Sequence, residues 1–178
     1  MTVSKRSRSE LPSRASDAGR CTADDRLEAH DDVVLARDAA LRLLARREHS
    51  TDELRRKLKQ RGYGDMVITE VVMSLHDANS VSDARFVESF VRVRTQRGQG
   101  PLRIRAELRE RGVADNLIDE WLAAADEMWR GHAEKARAKR FGEGPPSSRD
   151  AWERQARFLA QRGYPADLIY RTLGPPRG

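Results

Sequence analysis

A short signature recurs three times along this chain, and it limits the fold more than any bulk property does. Arg-Gly stands at Arg61-Gly62, Arg111-Gly112 and Arg162-Gly163, a period of roughly fifty residues. Three positions before each Arg is a leucine: Leu58, Leu108 and Leu159. Seven positions after each Arg is an isoleucine: Ile68, Ile118 and Ile169. An apolar residue follows one turn later at Val72, Leu122 and Leu173. Side chains four apart share a helix face, so each Ile and its partner line one side of a helix. A glycine closing the preceding segment takes the left-handed conformation at a helix end without penalty. Each copy therefore reads as a helix, a Gly turn and a second helix, preceded by one more helix. Asp65 and Asp115, three ahead of the Ile, are placed to cap the second helix. Asp167 lies two ahead, after Pro165.

The expected fold is all-α: an elongated array of three tandem three-helix repeats behind a disordered N-terminal tail. The tail covers 1–31 and the repeats cover 32–79, 80–126 and 127–178. A unit of this size buries little alone, so neighbouring units must supply part of the stability. The tail is rich in Ser, Arg and Asp and poor in apolar residues, which leaves little to offset ordering entropy.

The first helix is expected over Asp32–Arg47, with Val33, Ala36, Ala40, Leu41 and Leu44 inward. Ser50 and Glu53 have the spacing of a capping box at the head of the next helix. In the second repeat, Phe86, Val87, Phe90 and Val91 make an apolar face. Pro101 suits a first helical position after Gly98 and Gly100. The helix that follows Gly112 is expected from Asn116 to about Met128, with Ile118, Trp121, Leu122 and Ala125 inward. The third repeat departs most from the pattern. Gln155 occupies the place of Leu54 and Ile104, and Lys135, Arg137 and Lys139 are expected outward.

Net charge is +6 and the isoelectric point is near 10, which favours an anionic or acidic partner, most simply nucleic acid or a complex containing it. The single cysteine, Cys21, excludes a disulfide framework within the chain. No apolar run is long enough to span a bilayer, and the N-terminus lacks the apolar core of a secretory signal. The expected compartment is the cytoplasm. No Walker loop, H-E-x-x-H or nucleophile elbow is present. The histidines His30, His49, His76 and His132 lack metal-ligand spacing. The chain is expected to be no enzyme and to need no cofactor or metal. Gly98-Gln99-Gly100 makes a poor phosphate cradle because Pro101 removes an amide donor.

Helix, turn and helix suggest the DNA-reading motif, but that motif presents polar and basic side chains from its second helix. Here Met66–Leu75 holds no Arg or Lys, and the helix after Gly112 is apolar and acidic. The arginines lie on the preceding helices instead. Residues expected to contact a partner or phosphate are Lys57, Arg61, Arg92, Arg94, Arg97, Arg103, Arg105 and Arg109. Phe90 and Trp121 sit on apolar faces and are read as core rather than as base-stacking platforms.

The stretch Gly98-x-Gly100-Pro101-x-x-Ile104-x-x-Glu107-Leu108-x-x-x-Gly112-Val113 resembles the signature of the RecX family, bacterial regulators of the recombinase RecA. The Ser50-x-x-Glu53-Leu54 entry, the Asp83-x-x-Phe86 helix and the Phe158-Leu159-x-x-Arg162-Gly163-Tyr164 element carry the resemblance from about Val33 to Leu173. It implies a monomeric, non-enzymatic regulator that binds within the groove of the RecA–DNA filament. It also implies inhibition of strand exchange, ATP hydrolysis and the coprotease role in the SOS response, with weak, non-specific contact to DNA. The alternative is a sequence-independent nucleic-acid-binding helical protein with no recombinase target.

Overall fold

The computed structural model describes residues 23–123 and 126–176. The tail expected over 1–31 therefore lies largely outside the described residues. Among those residues the secondary structure is helical, with no strand. The order is α1 (Ala23–Leu44), α2 (Thr51–Lys59), α3 (Asp65–Asp77), α4 (Asp83–Gln96), α5 (Pro101–Arg109), α6 (Asp115–Leu122), α7 (Asp126–Phe141), α8 (Arg149–Gln161) and α9 (Ala166–Leu173). They group in threes, as the repeat requires.

Local chemistry sets most boundaries. Leu58, Leu108 and Leu159 are fully buried, and Ile68, Ile118 and Ile169 are buried after them. Between each pair the chain turns on a glycine with positive φ: 92° at Gly62, 72° at Gly112 and 87° at Gly163. The residue after each glycine sends its N–H back five residues, from Tyr63 to Leu58, Val113 to Leu108 and Tyr164 to Leu159. This is the Schellman arrangement, which satisfies carbonyls at the helix end. The threefold sequence signature is thus one helix ending used three times.

Some expectations are corrected. α1 begins at Ala23 rather than Asp32 and ends at Leu44 rather than Arg47; the Ala- and Leu-containing stretch before Asp32 has the propensity to extend it. Leu43, not Leu41, is its buried leucine. Asp65 and Asp115 are not N-caps. They are first helical residues behind Gly64 and Ala114, and no side chain caps either helix. At that position a carboxylate still favours the positive end of the helix dipole. It also reaches back to the preceding helix: Asp65 to Lys59 at 2.9 Å and Asp115 to Arg109 at 2.6 Å. The capping box at α2 is half formed. Ser50 Oγ accepts the Glu53 N–H at 3.0 Å, but the Glu53 carboxylate is taken by Arg47. The helix expected over Asn116–Met128 stops at Leu122, and α7 starts at Asp126. Arg137 is buried rather than outward.

Two cores result. The first holds Ala36, Ala40, Leu54, Leu58, Ile68, Val71, Val72 and Leu75 between α1, α2 and α3. The second is continuous through the second and third repeats, from Phe86 and Val87 through Ile104, Leu108 and Trp129 to Leu159, Tyr164 and Leu173. Phe90 and Trp121 pack against it, half-buried. Gln155 is buried where Leu54 and Ile104 are buried in their own repeats. It accepts from Arg137 Nη1 at 3.3 Å, while the same guanidinium donates to the carbonyls of Gly144 and Glu143 at 2.7 and 2.8 Å. A buried polar side chain is tolerated because it is hydrogen-bonded.

The repeats join through the ends of their middle helices. The N–H of Gly100 donates to Arg162 O at 2.7 Å, and that of Leu102 to Gly163 O at 3.0 Å. α5 has no side-chain cap, so carbonyls at the end of α8 satisfy amides that a helix start otherwise leaves open. At the other junction Ser50 Oγ donates to Arg111 O at 2.6 Å, and Arg56 Nη2 to Glu110 O at 3.0 Å. The carbonyl end of α8 thus faces the amide end of α5, and that of α5 faces α2. Both pairings bring opposite dipole ends together. The approach leaves no room for a side chain: a Cβ on Gly163 would lie 2.5 Å from Arg103 N, and one on Gly112 2.5 Å from Asp52 Cβ. Gly62, at the free end of the row, meets nothing within 4 Å.

These three glycines should therefore respond differently to alanine. Gly62→Ala is expected to cost only the left-handed backbone penalty, about 1–2 kcal/mol. Gly163→Ala adds overlap with α5, for a total of about 3 kcal/mol or more. Urea denaturation compares them, and equal losses at Gly62 and Gly163 would mean that the α8–α5 junction does not bear on stability.

Candidate partner-binding surface

The eight cationic residues expected at a contact surface divide into two sets. Arg94 and Arg103 converge on one carboxylate, with Arg94 Nη2 2.8 Å from Glu107 Oε2 and Arg103 Nε 3.2 Å from Glu107 Oε1. Arg94 also lies over the Phe90 ring at 4.6 Å, and Arg111 lies at 4.8 Å from the same centroid. A guanidinium held by an aromatic face and a carboxylate locks α4 against α5. Arg105 is paired with Asp119 and Arg109 with Asp115. The Arg109 hydrogen bond holds the Asp115 carboxyl below its usual range, and Asp115 in turn raises Arg109. All four arginines are ion-paired within the chain, although Arg94 and Arg103 share one carboxylate.

Lys57, Arg61, Arg92 and Arg97 form the other set. None has a carboxylate partner among the described residues. Lys57 lies on the last turn of α2 and Arg61 in the turn just after it, and Arg61 Nη1 donates to Lys57 O at 3.2 Å. Arg92 and Arg97 lie on the last turns of α4 and on its cap, and both are exposed. Near Arg97 the structure adds Lys135, Lys139 and Arg140 from α7 and Arg162 from the end of α8. Sequence reasoning left these four out of the contact set. The signal was present: from Lys135 to Arg140 four of six residues are basic and none is acidic. Among the described residues, no group of three or more His, Cys, Asp and Glu side chains is placed to hold a metal ion.

Comparison with known proteins decides the family. Family models described as the first, second and third three-helix domains of RecX match residues 36–75, 82–122 and 131–173. The chain belongs to the RecX family. It is 50% identical over 133 residues to the regulatory protein RecX of Halorhodospira halophila, covering 75% of this chain and 83% of that protein. It is 41% identical over 143 residues to the regulatory protein RecX of Pseudomonas putida, covering 80% and 92%. The fold is similar to the crystal structure of RecX from Lactobacillus salivarius, with a TM-score of 0.70 at 24% identity, covering 80% of this chain and 95% of that one. A second RecX crystal structure gives a TM-score of 0.72 at 19% identity, covering 89% and 81%.

RecX proteins are a regulatory family rather than an enzyme family, and a regulator acts through a surface. No helix among the described residues is long and apolar enough to cross a membrane. The surface is built on the junctions just described, so the junctions carry its electrostatics. At the first, His49 is buried beside Ser50, with Nδ1 3.2 Å from Glu53 Oε2. Burial, then the Arg47 charge, pushes the His49 imidazole below its ordinary 6.5, against the pull of Glu53. Burial raises Glu53, but hydrogen bonding and charge from Arg47 and His49 outweigh it and leave the carboxyl lowered.

A histidine depressed in the folded state binds its proton more readily in the unfolded chain. Its stabilising contribution is thus present above about pH 6.5 and lost as pH falls below that value. His132 has the same sign, lowered by burial and by Lys135. Thermal melts are expected to weaken from pH 7.5 towards 5.5, and His49→Gln should flatten that dependence in part. An unchanged slope in the variant would mean that His49 is not held neutral at the junction.

Proposed function

We propose that this RecX-family chain binds the RecA–DNA filament and modulates it by occupancy. Bound protein lowers ATP turnover, strand exchange and the coprotease activity that drives the SOS response. The chain acts as a cytoplasmic monomer without cofactor, and its own contact with DNA is weak and independent of sequence. What supports this reading is family membership together with one physical observation: the division of the basic residues. The arginines of α5 are engaged in ion pairs within the fold, whereas Lys57, Arg61, Arg92 and Arg97 have no carboxylate partner among the described residues and are left for an external one.

Charge on these four positions attracts phosphates and carboxylates alike, and a row of stacked repeats offers an extended surface along which both are met. The partner reading and the bare nucleic-acid reading separate by affinity. A binder of DNA alone holds naked and RecA-coated strands equally and loses affinity steeply with salt. A filament regulator prefers the coated strand.

Adding the protein to RecA assembled on single-stranded DNA is expected to lower ATP turnover at or below one copy per recombinase subunit. The variant Lys57→Glu/Arg61→Glu/Arg92→Glu/Arg97→Glu should need at least tenfold more protein for the same effect, about 1.4 kcal/mol or more of lost binding. No inhibition by the unaltered chain would end the proposal, and equal potency of the variant would remove these residues from the contact.

A further inference from the structure

α4 ends on α7 at very short range: a Cβ on Gly98 would lie 3.1 Å from Ala136 Cβ. His132, Lys135, Ala136, Lys139 and Arg140 fall at helical spacing on one face of α7. Ala136, small, takes the contact with the end of α4, and the longer side chains stand around it. Arg97 closes one side from α4, and Arg162 closes another from the end of α8. Together they wall a cavity of about 450 Å³, within the usual size range of small-molecule sites.

The charge of this cavity is one-sided. Lys135, Lys139, Arg140, Arg97 and Arg162 all line it, and among the described residues no carboxylate does. Several helices of the chain set opposite charges one turn apart, as in Asp52 with Arg56, Arg103 with Glu107 and Glu153 with Arg149. Lys135 and Lys139 repeat the same sign at that spacing, as Lys57 and Arg61 do, and like charges one turn apart destabilise a helix unless an anion offsets them. Arg162 is already held in position. Its Nη1 donates to Arg97 O at 2.7 Å, and its guanidinium lies over the Phe158 ring at 5.0 Å. The α8 end that carries it is fixed by backbone hydrogen bonds to α5. Part of the ordering cost of a binding site is therefore met before any ligand arrives.

We propose that this cavity binds a compact oligophosphate: two or three contiguous phosphoryl groups, as in inorganic triphosphate or the phosphate arm of a nucleotide. Five cations converging from three elements match several negative charges within a few ångströms of one another. A single phosphate uses only part of the set, and an extended strand, which needs an open track, does not fill a site walled on three sides. The His132 imidazole adds a hydrogen-bonding group to the same wall.

The test uses the full chain alone, without recombinase, so its outcome is independent of the filament proposal. Calorimetric titration at about 150 mM salt compares inorganic triphosphate, ATP, orthophosphate and a single-stranded oligothymidylate. One triphosphate per chain is expected, bound at least tenfold tighter than orthophosphate. The variant Lys135→Glu/Lys139→Glu is expected to lose at least tenfold. The charge-matched Arg154→Glu/Arg157→Glu, exposed on α8 and outside the cavity, is expected to keep the affinity. ATP binding as tightly as inorganic triphosphate assigns the site to the phosphoryl chain alone; tighter ATP assigns it to a nucleotide. Equal affinity for triphosphate and orthophosphate would overturn the proposal. So would equal losses in both double variants, which would reduce the effect to net charge. Cavity-dependent binding of the oligonucleotide with none of triphosphate would also overturn it, in favour of a nucleic-acid surface.

Discussion

The carbonyl end of one middle helix meets the amide end of the next, and the rest of the architecture depends on that meeting. Helix termini carry unsatisfied backbone groups that are costly when covered by protein rather than water. Here Gly100 and Leu102 send those donors to Arg162 and Gly163 of the following repeat. Ser50 plays the corresponding part for α2 by capping its own helix and donating to Arg111 O. The same joint is therefore made twice with different chemistry, by bare backbone at one junction and through a serine hydroxyl at the other.

This joint explains why the most visible sequence signature is a helix ending rather than a helix. Gly112 and Gly163 meet two demands, a left-handed backbone and a close neighbour, and each demand alone favours glycine. Gly62 meets only the first. Its copy of the motif ends the row and faces open space.

Charge follows the same logic of position. The basic residues of α5 look like a binding face when read along the sequence, but each is ion-paired in the fold, Arg103 to Glu107 of its own helix and Arg105 and Arg109 to Asp119 and Asp115 of α6. Along the sequence the basic run of α7 looks like an outer face. Instead it is split by helical periodicity: Arg137 turns inward to Gln155, while Lys135, Lys139 and Arg140 gather with Arg97 and Arg162. A count of arginines marks a chain for an acidic partner, and only packing says which of them remain available.

The sequence by itself determined the helical class, the threefold period, the three glycine turns and most of the buried residues. Each of these is local: it rests on the helical repeat of apolar side chains and on the backbone freedom of glycine within a few positions. It also carried the RecX resemblance, because that lies in the same residues. It misplaced α1's start, the caps at Asp65 and Asp115, and the inward turn of Arg137, where several local choices differ little in energy. Only the tertiary structure decided how repeats join, that the second and third share a core, and which cations are ion-paired. The junctions depend on groups fifty or more residues apart, and the charge pairings on side chains from adjacent helices, both brought together by packing rather than by a local pattern.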